Sequence, residues 1–195
     1  MANGRILNIP NVLTLTRVAL IPVFLLIAYW PPMIGVNGHD GGLLRHSLLA
    51  GVFVLAAVTD WLDGYLARAL NQSSAFGRFL DPVADKLMVA AALVMLVQWQ
   101  TTPSMCFAAI VIISREITIS ALREWMAELG ARTSVAVSTV GKYKTAFQMI
   151  AITAFLLNIP VLMPLAYGLL YLAVMLTLWS MLIYLKAAWP YLKMD

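Results

Sequence analysis

Asp60-Trp-Leu-Asp63-Gly64-Tyr-Leu-Ala67-Arg68, then eight residues to Gly77, then Asp81-Pro-Val-Ala-Asp85-Lys86: this stretch decides how the chain reads. The chain has 195 residues and only nine acidic ones, and these two Asp pairs take four of them. The first pair closes an apolar run, Leu43 to Thr59, and the second opens another, Leu87 to Val97. An ionised carboxylate at the edge of hydrocarbon is costly and needs strong compensation. Asp60, Asp63, Gly64 and Ala67 fall at i, i+3, i+4 and i+7, one face of a helix. Asp81 and Asp85, at i and i+4, share a face of the next helix. The polar connector Asn71-Gln-Ser-Ser74 makes the two segments a helical hairpin that brings the acidic faces together. The compensation implied is a divalent metal site with oxygen ligands from Asp60, Asp63, Asp81 and Asp85. Two Mg²⁺ or Mn²⁺ ions would balance the four negative charges. Gly64 and Ala67 remove bulk from the same face and leave room for a ligand. Arg68, one turn on, suits a phosphate. The competing structural reading makes these acids helix caps and ion-pair partners of Arg68, Arg78 and Lys86, and Asp81-Pro82 does have the form of an N-cap followed by proline at the first helical position.

Working outward, 62% of the residues are hydrophobic and 11% charged. Soluble domains carry about twice that charge, so this is a membrane protein, read as a single domain over residues 1–195. The pattern predicts an all-α fold of six transmembrane helices: Val12 to Trp30, Leu43 to about Leu70, Phe79 to Trp99, Met105 to about Glu128, Gly141 to about Leu157, and Leu165 to about Lys186. Residues 1–11 mix Ile6, Leu7 and Ile9 with Arg5 and Asn8 and read as an interfacial segment. No small-residue cleavage site follows the first apolar run, which argues against a signal peptide. With both termini cytoplasmic, Arg45 is the only one of the 13 Lys and Arg residues left outside. That asymmetry orients the chain and puts the Asp pairs at the cytoplasmic mouth. The basic residues are spread along membrane edges, which suits anionic lipid and phosphorylated substrates and not nucleic acid. The lone cysteine, Cys106, reads as a packing residue. His39 and His46 read as part of a solvated loop, not as metal ligands.

A second constellation is basic. Arg115 interrupts an apolar run beside Glu116, and Arg123 lies about 12 Å further along the helix axis. Lys142 and Lys144 stand at the start of the fifth helix, where a helix N-terminus favours an anion. Arg115 is the strongest anion-binding candidate, because a charge inside the membrane pattern is functional by default. Snorkelling and helix-end pairing are the alternative for the other basic residues.

The string D-x2-D-G-x2-A-R-x8-G-x3-D-x3-D resembles the signature of the CDP-alcohol phosphotransferases at every fixed position. Asn8-Ile-Pro-Asn-Val-Leu-Thr14-Leu-Thr-Arg17 and Ser114-Arg-Glu-Ile-Thr-Ile-Ser-Ala-Leu-Arg123-Glu-Trp125 resemble its bacterial glycerol-phosphate branch. The resemblance implies transfer of a phosphatidyl group from CDP-diacylglycerol to an alcohol. In that branch the acceptor is sn-glycerol 3-phosphate and the products are phosphatidylglycerol phosphate and CMP. It further implies Asp85 as general base, contact of Gly64, Ala67, Arg68, Ser74 and Gly77 with the CDP-lipid, and weaker contact from Asn11 and Thr14. Arg115, Arg123, Lys142 and Lys144 fall where the family binds the acceptor phosphate. A homodimer through the third and fourth helices and a bacterial inner-membrane location are expected on the same ground. Inositol phosphate and serine acceptors share the Asp framework. Membrane prenyltransferases and ion-coupled transporters also place acids in membranes, but the former lack the D-G-x2-A-R continuation and the latter would show an inverted repeat.

Overall fold

The computed structural model describes residues 9–29, 40–69, 75–130 and 139–191. Six α-helices make up nearly all of it: α1 Ile9–Tyr29, α2 Asp40–Ala69, α3 Ala75–Gln100, α4 Pro103–Glu128, α5 Thr139–Leu157 and α6 Met163–Ala188. A 3-10 turn, Pro160–Leu162, precedes α6. Among the described residues, four helices are long and apolar enough to cross a membrane, over Asn11–Tyr29, Gly42–Asp63, Pro103–Glu128 and Pro160–Ala188. Lys86–Gln100 and Tyr143–Leu157 are shorter apolar stretches. The protein is therefore an all-helical, polytopic membrane protein. In lipid every backbone polar group must be met internally, and helices do so within one segment.

Local sequence sets the helix ends. Thr102 caps α4, its hydroxyl accepting from the Met105 amide at 3.3 Å, with Pro103 at the first helical position. Gly130, at φ +73°, closes the same helix, its amide donating to the Ala127 carbonyl at 3.2 Å. Asn158, at φ +52°, follows α5 in the same left-handed region.

α3 departs from expectation. It begins at Ala75, so Asp81 lies inside the helix and is not its N-cap. The local Asp-Pro signal is overridden because Ala75 to Leu80 is largely apolar and helix satisfies its backbone better than an open turn would at a membrane edge. Of the expected interfacial segment, residues 1–11, the first eight lie outside the described residues and 9–11 already belong to α1. Cys106 is exposed on α4 and does not pack inside. His46 lies on α2, not in a loop. Its Nδ1 is 3.0 Å from the Leu156 carbonyl and its Nε2 3.3 Å from the Asn158 amide. His39 lies outside the described residues.

The chain divides into two compact units, residues 1–96 with 156–159, and residues 97–155 with 160–195. In the first, α1 and α2 pack as an antiparallel pair. Arg45 of α2 ties one end by donating to the Ala28 carbonyl of α1. Phe24, Ala28, Leu49 and Phe53 fill the inside. In the second unit, α4 and α6 run parallel, with Ile119 and Met126 packed against Tyr184 and Ala188. Small residues on α6, Ala166, Ala173 and Ser180, are fully buried, as close helix approach in membranes requires.

Candidate active site

Three polar residues line the inner face of α1. Asn11, Thr14 and Arg17 are all buried and recur every three residues, and Thr14 and Arg17 reach α2. α2 answers with Asp60 and Asp63. Arg17 Nη1 donates to Asp60 Oδ1 at 2.6 Å, and Nη2 to Asp63 Oδ2 at 2.5 Å. Thr14 Oγ1 donates to the same Asp63 oxygen at 3.5 Å. The guanidinium is 1% exposed, Asp63 5% and Asp60 45%, so the pair is sealed at one carboxylate and open to solvent at the other.

The expected pairing of Asp60 and Asp63 on one face is thus present. Their partner among the described residues is Arg17, which a count of positive charges had placed only on the inner side. The signal that could have found it is the Asn11, Thr14, Arg17 spacing inside an apolar helix. Two carboxylates converging on one cationic group, with only oxygen donors, fit a hard divalent metal, the guanidinium standing where positive charge is wanted. Asp81 and Asp85 sit one turn apart on α3. Of Gly64, Ala67, Arg68, Gly77, Asp81, Asp85 and Lys142 only the backbone is described, and Ser74 lies outside the described residues altogether.

The second unit holds the basic constellation. Arg115 is buried, with Nη1 3.0 Å from Glu116 Oε1 and Nη2 donating to Ser180 Oγ at 3.2 Å. Its guanidinium carbon stands 5.7 Å from the centre of the Tyr184 ring. Buried Lys144 of α5 donates to the same Glu116 oxygen. Arg115 and Lys144 are therefore brought together, by a carboxylate that the anion-site reading had not used. Ser180 was likewise missed, because nothing in α6 marks one small hydroxyl among apolar residues; Tyr184, one turn on, reads from the sequence as an interface anchor and is instead buried against α4. Arg123 does not join them in this way; it is exposed further along α4. Gln148, one turn beyond Lys144, and Thr177, one turn before Ser180, are buried with oxygens that meet no partner among the described residues.

The family model of CDP-alcohol phosphatidyltransferases matches residues 7–179. The chain belongs to that family. It is accordingly a phosphatidyltransferase, and the prenyltransferase and transporter readings fall away. Among its relatives, one from Pseudomonas fluorescens is 52% identical over 198 residues, covering 97% of this chain and 94% of its own. One from Haemophilus influenzae is 50% identical, covering 93% of each chain. One from Escherichia coli K12 is 49% identical, covering 93% of this chain and 94% of its own. All three are named CDP-diacylglycerol–glycerol-3-phosphate 3-phosphatidyltransferase.

Proposed function

We propose that this protein transfers the phosphatidyl group of CDP-diacylglycerol to sn-glycerol 3-phosphate, yielding phosphatidylglycerol phosphate and CMP. The observation that carries this reading is about half-identity, over nearly the full length of both chains, to relatives named for that reaction. Asp60, Asp63, Asp81 and Asp85 would hold two divalent ions, Mg²⁺ or Mn²⁺. When bound, the metal neutralises the pyrophosphate and the charge that develops on it during transfer.

The chain's own residues do the rest. Gly64, Ala67 and Gly77 leave space for the CDP-lipid, with Arg68, Ser74, Asn11 and Thr14 offering polar contacts. Arg115 and Lys144 take the acceptor phosphate, with Lys142 and Arg123 nearer to water. A hydroxyl oxygen of the acceptor attacks the phosphorus that carries the diacylglycerol. The bond from that phosphorus to the CMP oxygen breaks as the new bond forms, and the hydroxyl proton passes to Asp85. Holding both substrates at once makes a single displacement sufficient.

Six spans with both termini cytoplasmic, in a bacterial inner membrane, would place this chemistry on the cytoplasmic side and let CMP leave into the cytosol. One domain and a homodimer through α3 and α4 complete the proposal. An acceptor screen with labelled CDP-diacylglycerol, scored by CMP release and lipid product, tests the function. Glycerol 3-phosphate should be the preferred acceptor; turnover with inositol phosphate or serine in its place would reject the assignment. A chiral phosphorothioate analogue tests the mechanism, since one displacement inverts phosphorus and two retain it. Retention would make Asp85 a nucleophile.

A further inference from the structure

Arg17 lies in the acid site, yet the reaction as written gives it no part. Two of its donors are spent on Asp60 and Asp63. Its Nε is also buried and meets no acceptor among the described residues. Arg45 and Arg115 leave their Nε unmet as well, so what sets Arg17 apart is that its unmet donor stands beside two carboxylates. The unmet Nε–H lies beside the carboxylates where the CDP-lipid's pyrophosphate is proposed to bind, and a phosphate oxygen is the acceptor it lacks.

Charge points the same way. Asp60 and Asp63 together carry two negative charges and Arg17 one positive, so the cluster keeps an excess negative charge that attracts a divalent cation. That cation needs the same oxygens that Arg17 holds, and like charges at such range repel strongly in a buried site. Once the carboxylates turn to metal, the guanidinium cannot stay buried without an anion. Its planar fork matches phosphate oxygens. Thr14, on the same face of α1, donates to Asp63 and can keep that carboxylate oriented when Arg17 lets go.

We propose that Arg17 is an exchangeable counter-ion: it neutralises Asp60 and Asp63 before loading, cedes their oxygens to the divalent metal, and turns to the phosphates of the CDP-lipid. The inference rests on the metal reading of the acid site given above.

The test uses the full-length protein in detergent, with Mn²⁺ binding followed by electron paramagnetic resonance and labelled CDP binding measured at saturating Mn²⁺. Arg17→Gln should bind Mn²⁺ about tenfold tighter, because a competing cation is gone. The same variant should bind CDP about tenfold or more weakly, because a charged contact is lost. Opposite signs in one variant are what a bracing role would not produce. Arg17→Lys keeps the charge but loses the fork; it should hold Mn²⁺ within about threefold of wild type and still bind CDP more weakly. Weaker Mn²⁺ binding in Arg17→Gln would overturn the proposal and make Arg17 a positioning residue for the carboxylates. CDP affinity unchanged in either variant would also overturn it, and if Arg17→Gln does not fold, Arg17→Lys decides on that measurement alone. Wild-type protein that takes up no Mn²⁺ would reject the metal site itself, a failure distinguishable from variants that move the wrong way.

Discussion

At the scale of single residues, Asp63 is 5% exposed and Asp60 45%, although both pair with the same guanidinium. Removing the charge of Asp63 leaves Arg17 buried with half its compensation; removing that of Asp60 lets water take over. Asp63→Asn should therefore cost about 3–5 kcal/mol of stability in metal-free protein, and Asp60→Asn about 1 kcal/mol or less, read by thermal unfolding in detergent. Both variants, and Asp81→Asn, should abolish turnover in folded protein; a near-normal rate in any of them would remove that Asp from the metal site. Arg115→Ala should raise the KM for glycerol 3-phosphate by the equivalent of about 2–5 kcal/mol while leaving that for CDP-diacylglycerol nearly unchanged. Equal effects on both substrates would assign Arg115 to folding. That Asp60 and Asp63 share one helix face was legible from the sequence, because carboxylates are rare in this chain and regularly spaced. The roles of Glu116 and Ser180 were not, because they depend on which helix lies opposite; Arg17 carried a signal in its spacing with Asn11 and Thr14, but periodicity does not name its partners.

At the scale of helices, three boundaries follow local signals: Thr102-Pro103 starts α4, Gly130 ends it, and Asn158 follows α5. The start of α3 does not, because a local capping signal at Asp81 competes with the demand that backbone near lipid be helical. Packing partners were illegible for a related reason. All four long helices are apolar around most of their circumference, so no stripe separates a lipid-facing side from a protein-facing one. On α6 it is small residues that mark the inner side. Ala188→Leu, in the cluster with Ile119, Met126 and Tyr184, should overpack the α4–α6 contact and cost about 1–3 kcal/mol, seen as a lower unfolding temperature. A neutral result would mean that this end of α6 is looser than its burial implies.

At the scale of the whole molecule, the charge asymmetry and the six-span proposal can be tested together. With Cys106→Ser as background, Thr101→Cys should react with a membrane-impermeant maleimide on intact cells, whereas Leu129→Cys should react only after permeabilisation. Both positions are exposed, one at each end of α4. Protection of Thr101→Cys in intact cells would place the α3–α4 turn inside and rule out a membrane-crossing α3. Excess chelator should stop turnover and added Mg²⁺ or Mn²⁺ restore it; full turnover in chelator would end the metal proposal.

Glu116, shared by Arg115 and Lys144, has a consequence for timing. An anion arriving there meets cations already engaged, and it can bind fully only after a carboxylate has swung aside. Capture of the acceptor is then a first-order rearrangement following a fast encounter. In rapid-mixing experiments its observed rate should climb with glycerol 3-phosphate and then level off at a ceiling set by the swing. Glu116→Gln should lift that ceiling, and a rate that rises linearly without limit in the unaltered protein would show that the carboxylate never stands in the way.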